Sequence, residues 1–116
     1  MNKTEGKIQT ECYTWFHNTY PKYRGLLCYN LNNSKNKVDG ARNKALGLQP
    51  GRSDLVFYWG GVASMIEMKT ETGTQSPAQK EWQKLIEENG FDYYIRKDLE
   101  EFQILIKNIM EYGKCK

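Results

Sequence analysis

Histidine is almost absent from this chain: His17 is the sole copy, and the three cysteines, Cys12, Cys28 and Cys115, form no CxxC pair. That scarcity removes the ligand spacings by which zinc is held. An odd cysteine count also argues against a disulfide framework, and a reducing, cytoplasmic setting is the simplest account of it. No apolar run approaches the roughly 18 residues of a membrane span, and Met1 to Lys7 hold no stretch of signal-peptide length. A soluble protein with no membrane partner is the expectation. Charge of one sign is not in strong excess either: 17 basic residues against 14 acidic give a net charge of +3, so bulk charge alone does not assure a nucleic-acid partner. Internal repeats and low-complexity segments are missing.

What is present suits one compact domain, residues 1–116, long enough to bury a single core. Its most informative residues are Asp54, Glu67, Met68 and Lys69. In the segment from Ala63 to Lys69 the period-two alternation puts Ala63, Met65, Glu67 and Lys69 on one strand face and Ser64, Ile66 and Met68 on the other. At about 3.3 Å per residue, the Cβ atoms of Glu67 and Lys69 stand roughly 6 to 7 Å apart. A carboxylate there can hold a cation while the ammonium reaches a water or phosphate beside it. The preceding strand, Asp54 to Trp59, opens with its only charged residue, and Gly60-Gly61 supplies a hairpin turn. On this reading Asp54 and Glu67 do not fall directly opposite one another without a bulge or splay, and a shared metal calls for a twist at the Asp54 end. Carboxylates and a backbone carbonyl are hard oxygen donors, suited to Mg²⁺ or Mn²⁺. Alone, Glu-x-Lys is also what a solvated strand face carries, so its surroundings decide.

Those surroundings are Gly51-Arg52-Ser53-Asp54 before the first strand and, after the second, a polar loop leading to Ser76-Pro77-Ala78-Gln79-Lys80-Glu81-Trp82. Gly-x-x-Asp, Glu-x-Lys, a glycine-containing loop and Ser-x-x-Gln-x-x-Trp, in that order, resemble the virus-type replication-repair nuclease domain (VRR-NUC) of the PD-(D/E)XK superfamily. The resemblance runs from Glu11 to about Ile106. It implies an α/β fold, a mixed sheet flanked by helices in the order α-β-β-β-α-β-α. It implies a catalytic divalent metal bound by Asp54, Glu67 and the Met68 carbonyl, with Lys69 as catalytic lysine. Gln79 matches the family's glutamine beside the site, Glu11 the acid of the first helix near the metal, and Asn32 the asparagine after the first strand. The chain departs from the pattern in having Ser53 where proline is usual and Met68 where an aliphatic residue is commoner. Small members of the family imply a homodimer with two active sites, acting on branched DNA such as four-way junctions.

Some of these residues have plainer roles open to them. Ser76, Pro77 and Gln79 make a good helix start with a capping box, and Glu11 flanks the apolar stripe Ile8, Cys12, Trp15, Phe16. His17 reads as a surface or packing residue. Lys35, Lys37, Arg42, Lys44 and Arg52, against a lone Asp39, form a basic segment rich in Asn and Gly, read as an irregular loop that brings phosphate contacts to the edge of the site or simply stays solvated.

Periodicity and caps place a helix from near Thr4 to near Asn18, a strand at Leu26 to Tyr29, the hairpin, a helix from Pro77 to Glu88 with Trp82, Leu85 and Ile86 as core contacts, and a strand at Phe91 to Arg96. A last helix opens at Asp98 and turns Leu99, Phe102, Leu105, Ile106, Ile109 and Met110 to one face. The expected activity is metal-dependent, structure-selective cleavage of DNA. A non-catalytic DNA-binding module would be favoured by loss of an acid or the lysine, and none is lost. A sequence-specific restriction-type nuclease would carry a further recognition element, for which the chain leaves no obvious room.

Overall fold

The computed structural model describes residues 3–30 and 36–113, so Asn32, Lys35 and Cys115 lie outside the described residues. Helix α1, Glu5–Thr19, starts where the Thr4 hydroxyl accepts the Lys7 N–H at 3.2 Å, an N-cap that satisfies one of the helix's orphan donors. A short 3₁₀ turn at Pro21–Tyr23 leads to strand β1, Leu27–Tyr29. Helix α2, Lys37–Ala45, is followed by β2, Leu55–Trp59, and β3, Val62–Met68. Helix α3, Pro77–Glu88, strand β4, Asp92–Arg96, and helix α4, Leu99–Tyr112, complete the order.

One four-stranded sheet runs β1-β2-β3-β4, antiparallel except for the parallel β3-β4 pair. Alternation along the strands gives it two covered faces. Leu27, Leu55, Phe57, Ile66 and Met68 pack against Ile8, Cys12 and Phe16 of α1 and Phe102, Leu105, Ile106 and Ile109 of α4. On the other face Val56, Met65 and Tyr93 meet Trp82 and Ile86 of α3. The α3 contact differs from expectation at Leu85, which is 55% exposed, because at about 100° per residue it falls on the flank of the stripe set by Trp82 and Ile86.

The stretch read as an irregular basic loop is in good part helical. Asn36 caps α2 by accepting the Asp39 N–H at 2.9 Å, and the helix buries no residue. Val38 is 79% exposed and the C-capping Leu46 75%, so no apolar stripe announced the helix in the pattern of residues.

The hairpin register also differs from expectation. Gly60 and Gly61 both take positive φ, 62° and 83°, the two-residue turn that suits strand twist and that side chains resist. It sets Trp59 across from Val62, and the unbulged ladder continues to Leu55 across from Ile66. One more step sets Asp54 opposite Glu67, without a bulge. The ladder stops there: the chain bends at Asp54, and the Met68 N–H donates to Asp54 Oδ2 at 2.7 Å.

Candidate active site

Asp54 is held by its neighbours' main chains. Its carbonyl accepts the Asn30 N–H at 2.9 Å, and Asn30 Nδ2 donates to the Ser53 carbonyl at 3.1 Å. Asn30, buried directly after β1, thus clamps the turn into β2, a task no motif assigned to it. Ser53 is fully buried, its hydroxyl donating to the Leu55 carbonyl at 3.0 Å, and so stiffens the segment where the resembled pattern has proline. Gly51, at φ 80°, lies so close to α3 that a Cβ there would stand 2.4 Å from the Ala78 carbonyl oxygen. Gly-x-x-Asp therefore docks the start of β2 against the first turn of the helix that carries Gln79.

Glu67 and Lys69 project from the end of β3 on the α3 face. Glu67 is fully buried. Its Oε1 accepts a hydrogen bond from the Tyr93 hydroxyl, while Oε2 is buried without a hydrogen-bond partner and stands 3.7 Å from Lys69 Nζ. An orphaned carboxylate oxygen is costly in a protein interior. Lys69, 7% exposed, donates from Nζ to Gln79 Oε1 at 2.9 Å. That same Gln79 oxygen accepts the Ser76 N–H at 2.8 Å, and the Ser76 hydroxyl accepts the Gln79 N–H at 3.2 Å. The capping role and the site role of Gln79 are thus one arrangement.

A buried carboxylate, Glu67, and a half-buried one, Asp54, against one ammonium leave the cluster short of positive charge. Burial pushes the Asp54 carboxyl up to about 6, and repulsion from Glu67 and Glu5 adds to it against the Met68 N–H and Lys69, which pull the other way. Burial, and next the hydrogen bond to Glu67, lift the Tyr93 hydroxyl well above the ordinary phenol range, so it stays a donor.

Among the described residues no group of three or more His, Cys, Asp or Glu stands together as a metal cage. The donor set is the pair Asp54 and Glu67, with the Met68 backbone beside them. That suits a small hard cation, which takes one or two carboxylates and completes its shell with water and phosphate oxygens. The orphaned Glu67 Oε2 and the uncompensated charge fit such an ion.

The structure brings together Asp54, Glu67, Met68, Lys69 and Gln79. Glu11 is not with them: its carboxylate is paired with Lys3, at 2.8 and 3.0 Å. The α1 acid whose charge acts on Asp54 is Glu5, projecting roughly 240° around the helix from Glu11. Glu5, Asn30 and Tyr93 were the residues overlooked. Of the basic residues, Lys37, Arg42 and Lys44 lie exposed on α2, and Arg52 is half-buried two residues before Asp54.

No protein-family model matches this sequence, and no curated protein does. Solved structures do. One, described as a "VRR_NUC domain protein", is 21% identical with a TM-score of 0.78, over 100% of this chain and 95% of its own. Another, described as "VRR_NUC domain", is 19% identical with a TM-score of 0.58, over 90% of this chain and 97% of its own. The chain has the fold of a VRR-NUC domain.

Proposed function

We propose that this protein is a nuclease that hydrolyses DNA phosphodiester bonds with a divalent metal, Mg²⁺ or Mn²⁺, and that it selects branched DNA such as four-way junctions, as a homodimer. The observation that carries the reading is the buried Glu67 carboxylate, one oxygen fixed by Tyr93 and the other unbonded, with Asp54 across the ladder and Lys69 at 3.7 Å. A cluster whose only purpose was stability would leave no such oxygen unsatisfied.

Asp54, Glu67 and the Met68 carbonyl would hold the ion. When bound, it lowers the pKa of a water and neutralises charge on the phosphoryl group. The chain's own residues do the remaining work. Lys69, kept in place by Gln79 and desolvated by the sheet, presents an ammonium where a phosphate oxygen gathers negative charge or where an attacking water must be aimed. Glu5 adds negative charge at the Asp54 side. The exposed cations of α2, Lys37, Arg42 and Lys44, together with Arg52, support contact with the phosphate backbone. A domain of this size has little surface to spare for reading bases, which favours recognition by shape, and a two-fold dimer would offer two sites to paired strands.

The test is cleavage of a labelled four-way junction, a flap and a plain duplex with Mg²⁺ or Mn²⁺, comparing the intact protein with Lys69→Ala. Metal-dependent cutting by the intact chain, lost by at least about 100-fold in Lys69→Ala at unchanged melting temperature, is expected. Binding without cutting by either protein would instead favour a non-catalytic module, and equal cutting of duplex and junction would remove the shape selectivity.

A further inference from the structure

The ring of Tyr93 is wedged in the smaller core. Its hydroxyl reaches Glu67 from the next strand, since the parallel register pairs Tyr93 with Met65 and so sets Glu67 two residues along on the same face. Val56 and Met65 pack on it, and Trp82 of α3 lies against it, ring centroids 6.0 Å apart at 60°. Tyr93 is 8% exposed, so the ring has no room to swing. A hydroxyl carried on a ring so fixed is a stationary donor. In the loop after β3, Gln75 donates from Nε2 to Gln83 Oε1 of α3 at 2.8 Å.

Resting on the nuclease reading above, we propose that Tyr93, its ring held by the smaller core, is a positioning residue for the metal ligand Glu67. The argument is a division of labour between two oxygens. Oε1 is bound to Tyr93, which fixes the carboxylate plane. Oε2 is thereby left without a hydrogen bond, 3.7 Å from Lys69 Nζ, the orientation a ligand oxygen needs before the ion arrives. Without the hydroxyl the carboxylate could rotate and spend either oxygen on Lys69. Partners of this outer kind, when removed, typically cost a metal site about 10 to 100-fold in affinity or activity.

Tyr93→Phe removes the hydroxyl and keeps the ring. Titration of the metal-free protein with Mn²⁺ alone, followed by calorimetry and by the Mn²⁺ EPR signal, gives the affinity without any reaction. Tyr93→Phe is expected to weaken Mn²⁺ binding by about tenfold or more and to move the Mn²⁺ concentration for half-maximal cutting by a similar factor. A merely structural hydroxyl would lower cutting at every metal concentration without moving that midpoint. If Tyr93→Phe does not fold, Tyr93→Met decides, a flexible apolar side chain that fills the core without a hydroxyl; it too must weaken Mn²⁺ binding. Equal affinities for intact and variant proteins overturn this inference alone. An intact protein that neither binds Mn²⁺ nor cuts DNA overturns the nuclease reading, and this inference with it.

Discussion

Asp54 keeps its charge at a cost to the fold. Its carboxyl sits at about 6, against an ordinary 3.8, chiefly because it is buried and next because Glu67 repels it. The folded state therefore holds a proton over a window in which the unfolded chain has released it. The stability this lends is fully present below about pH 4 and is lost as pH rises through about 6. In metal-free buffer Asp54→Asn, which keeps an oxygen to accept the Met68 N–H, escapes that loss. It is expected to match the intact protein near pH 4 and to be more stable at pH 8, by roughly 1 to 2 kcal/mol once the partial exposure of Asp54 is discounted. Thermal unfolding across that range in chelator is the check, and no gain at pH 8 would contradict it. Adding Mn²⁺ should raise the melting temperature of the intact protein and not of the variant. At this scale Asp54, Glu67, Lys69 and Gln79 were legible because each stands in a short motif. Tyr93 was not: its role depends on the β3-β4 register, a long-range fact, and the neighbouring Tyr94 offers the same chemistry on the opposite face. Glu5 and Glu11 flank the same stripe, and only the packing of α1 on the sheet separates them.

At Gly51 the chain ahead of β2 runs close against the first turn of α3. A methyl group there would stand 2.4 Å from the Ala78 carbonyl oxygen, at a φ of 80° that side chains avoid. The three nearest atoms, the Ala78 carbonyl oxygen and carbon and the Gln79 nitrogen, all belong to main chain, so none can swing aside. Gly51→Ala is expected to cost roughly 2 to 4 kcal/mol, from backbone strain together with overpacking, as measured by chemical denaturation. It should also reduce cutting, because relief of the clash pulls the Asp54 strand away from the turn that holds Gln79 on Lys69. A stability change below about 0.5 kcal/mol would show that the two segments are not pinned here. The strong elements were legible in the sequence because cap and stripe agree, Ser76 opening α3 and Asp98 opening α4. Helix α2 was hidden because it has caps and no stripe, and burial is what a periodic pattern records. The hairpin was found and its register misjudged, although counting back from Trp59 and Val62 puts Asp54 across from Glu67 by turn geometry alone.

For the whole molecule, the question is how a chain with a net charge of +3 would grip a polyanion. Its basic residues are not spread evenly. Helix α2 carries Lys37, Arg42 and Lys44 with Asp39 as its one acid, buries nothing, and lies in the chain just before the Gly51 turn into the site. Because α2 contributes no core residue, its charges can be removed at little cost to the fold, typically within about 0.5 kcal/mol. The triple substitution Lys37→Ala, Arg42→Ala, Lys44→Ala should leave the melting temperature nearly unchanged and weaken junction binding. Every phosphate that a removed cation had neutralised should flatten the slope of log affinity against log salt by about 0.9, so loss of all three cations predicts a change approaching about 3. Binding measured in Ca²⁺ or chelator at several salt concentrations separates this from catalysis. A weakened affinity with an unchanged slope would mean that α2 touches something other than phosphate. An unchanged affinity would mean that the grip lies elsewhere, with Arg52, two residues before Asp54, the next residue to replace.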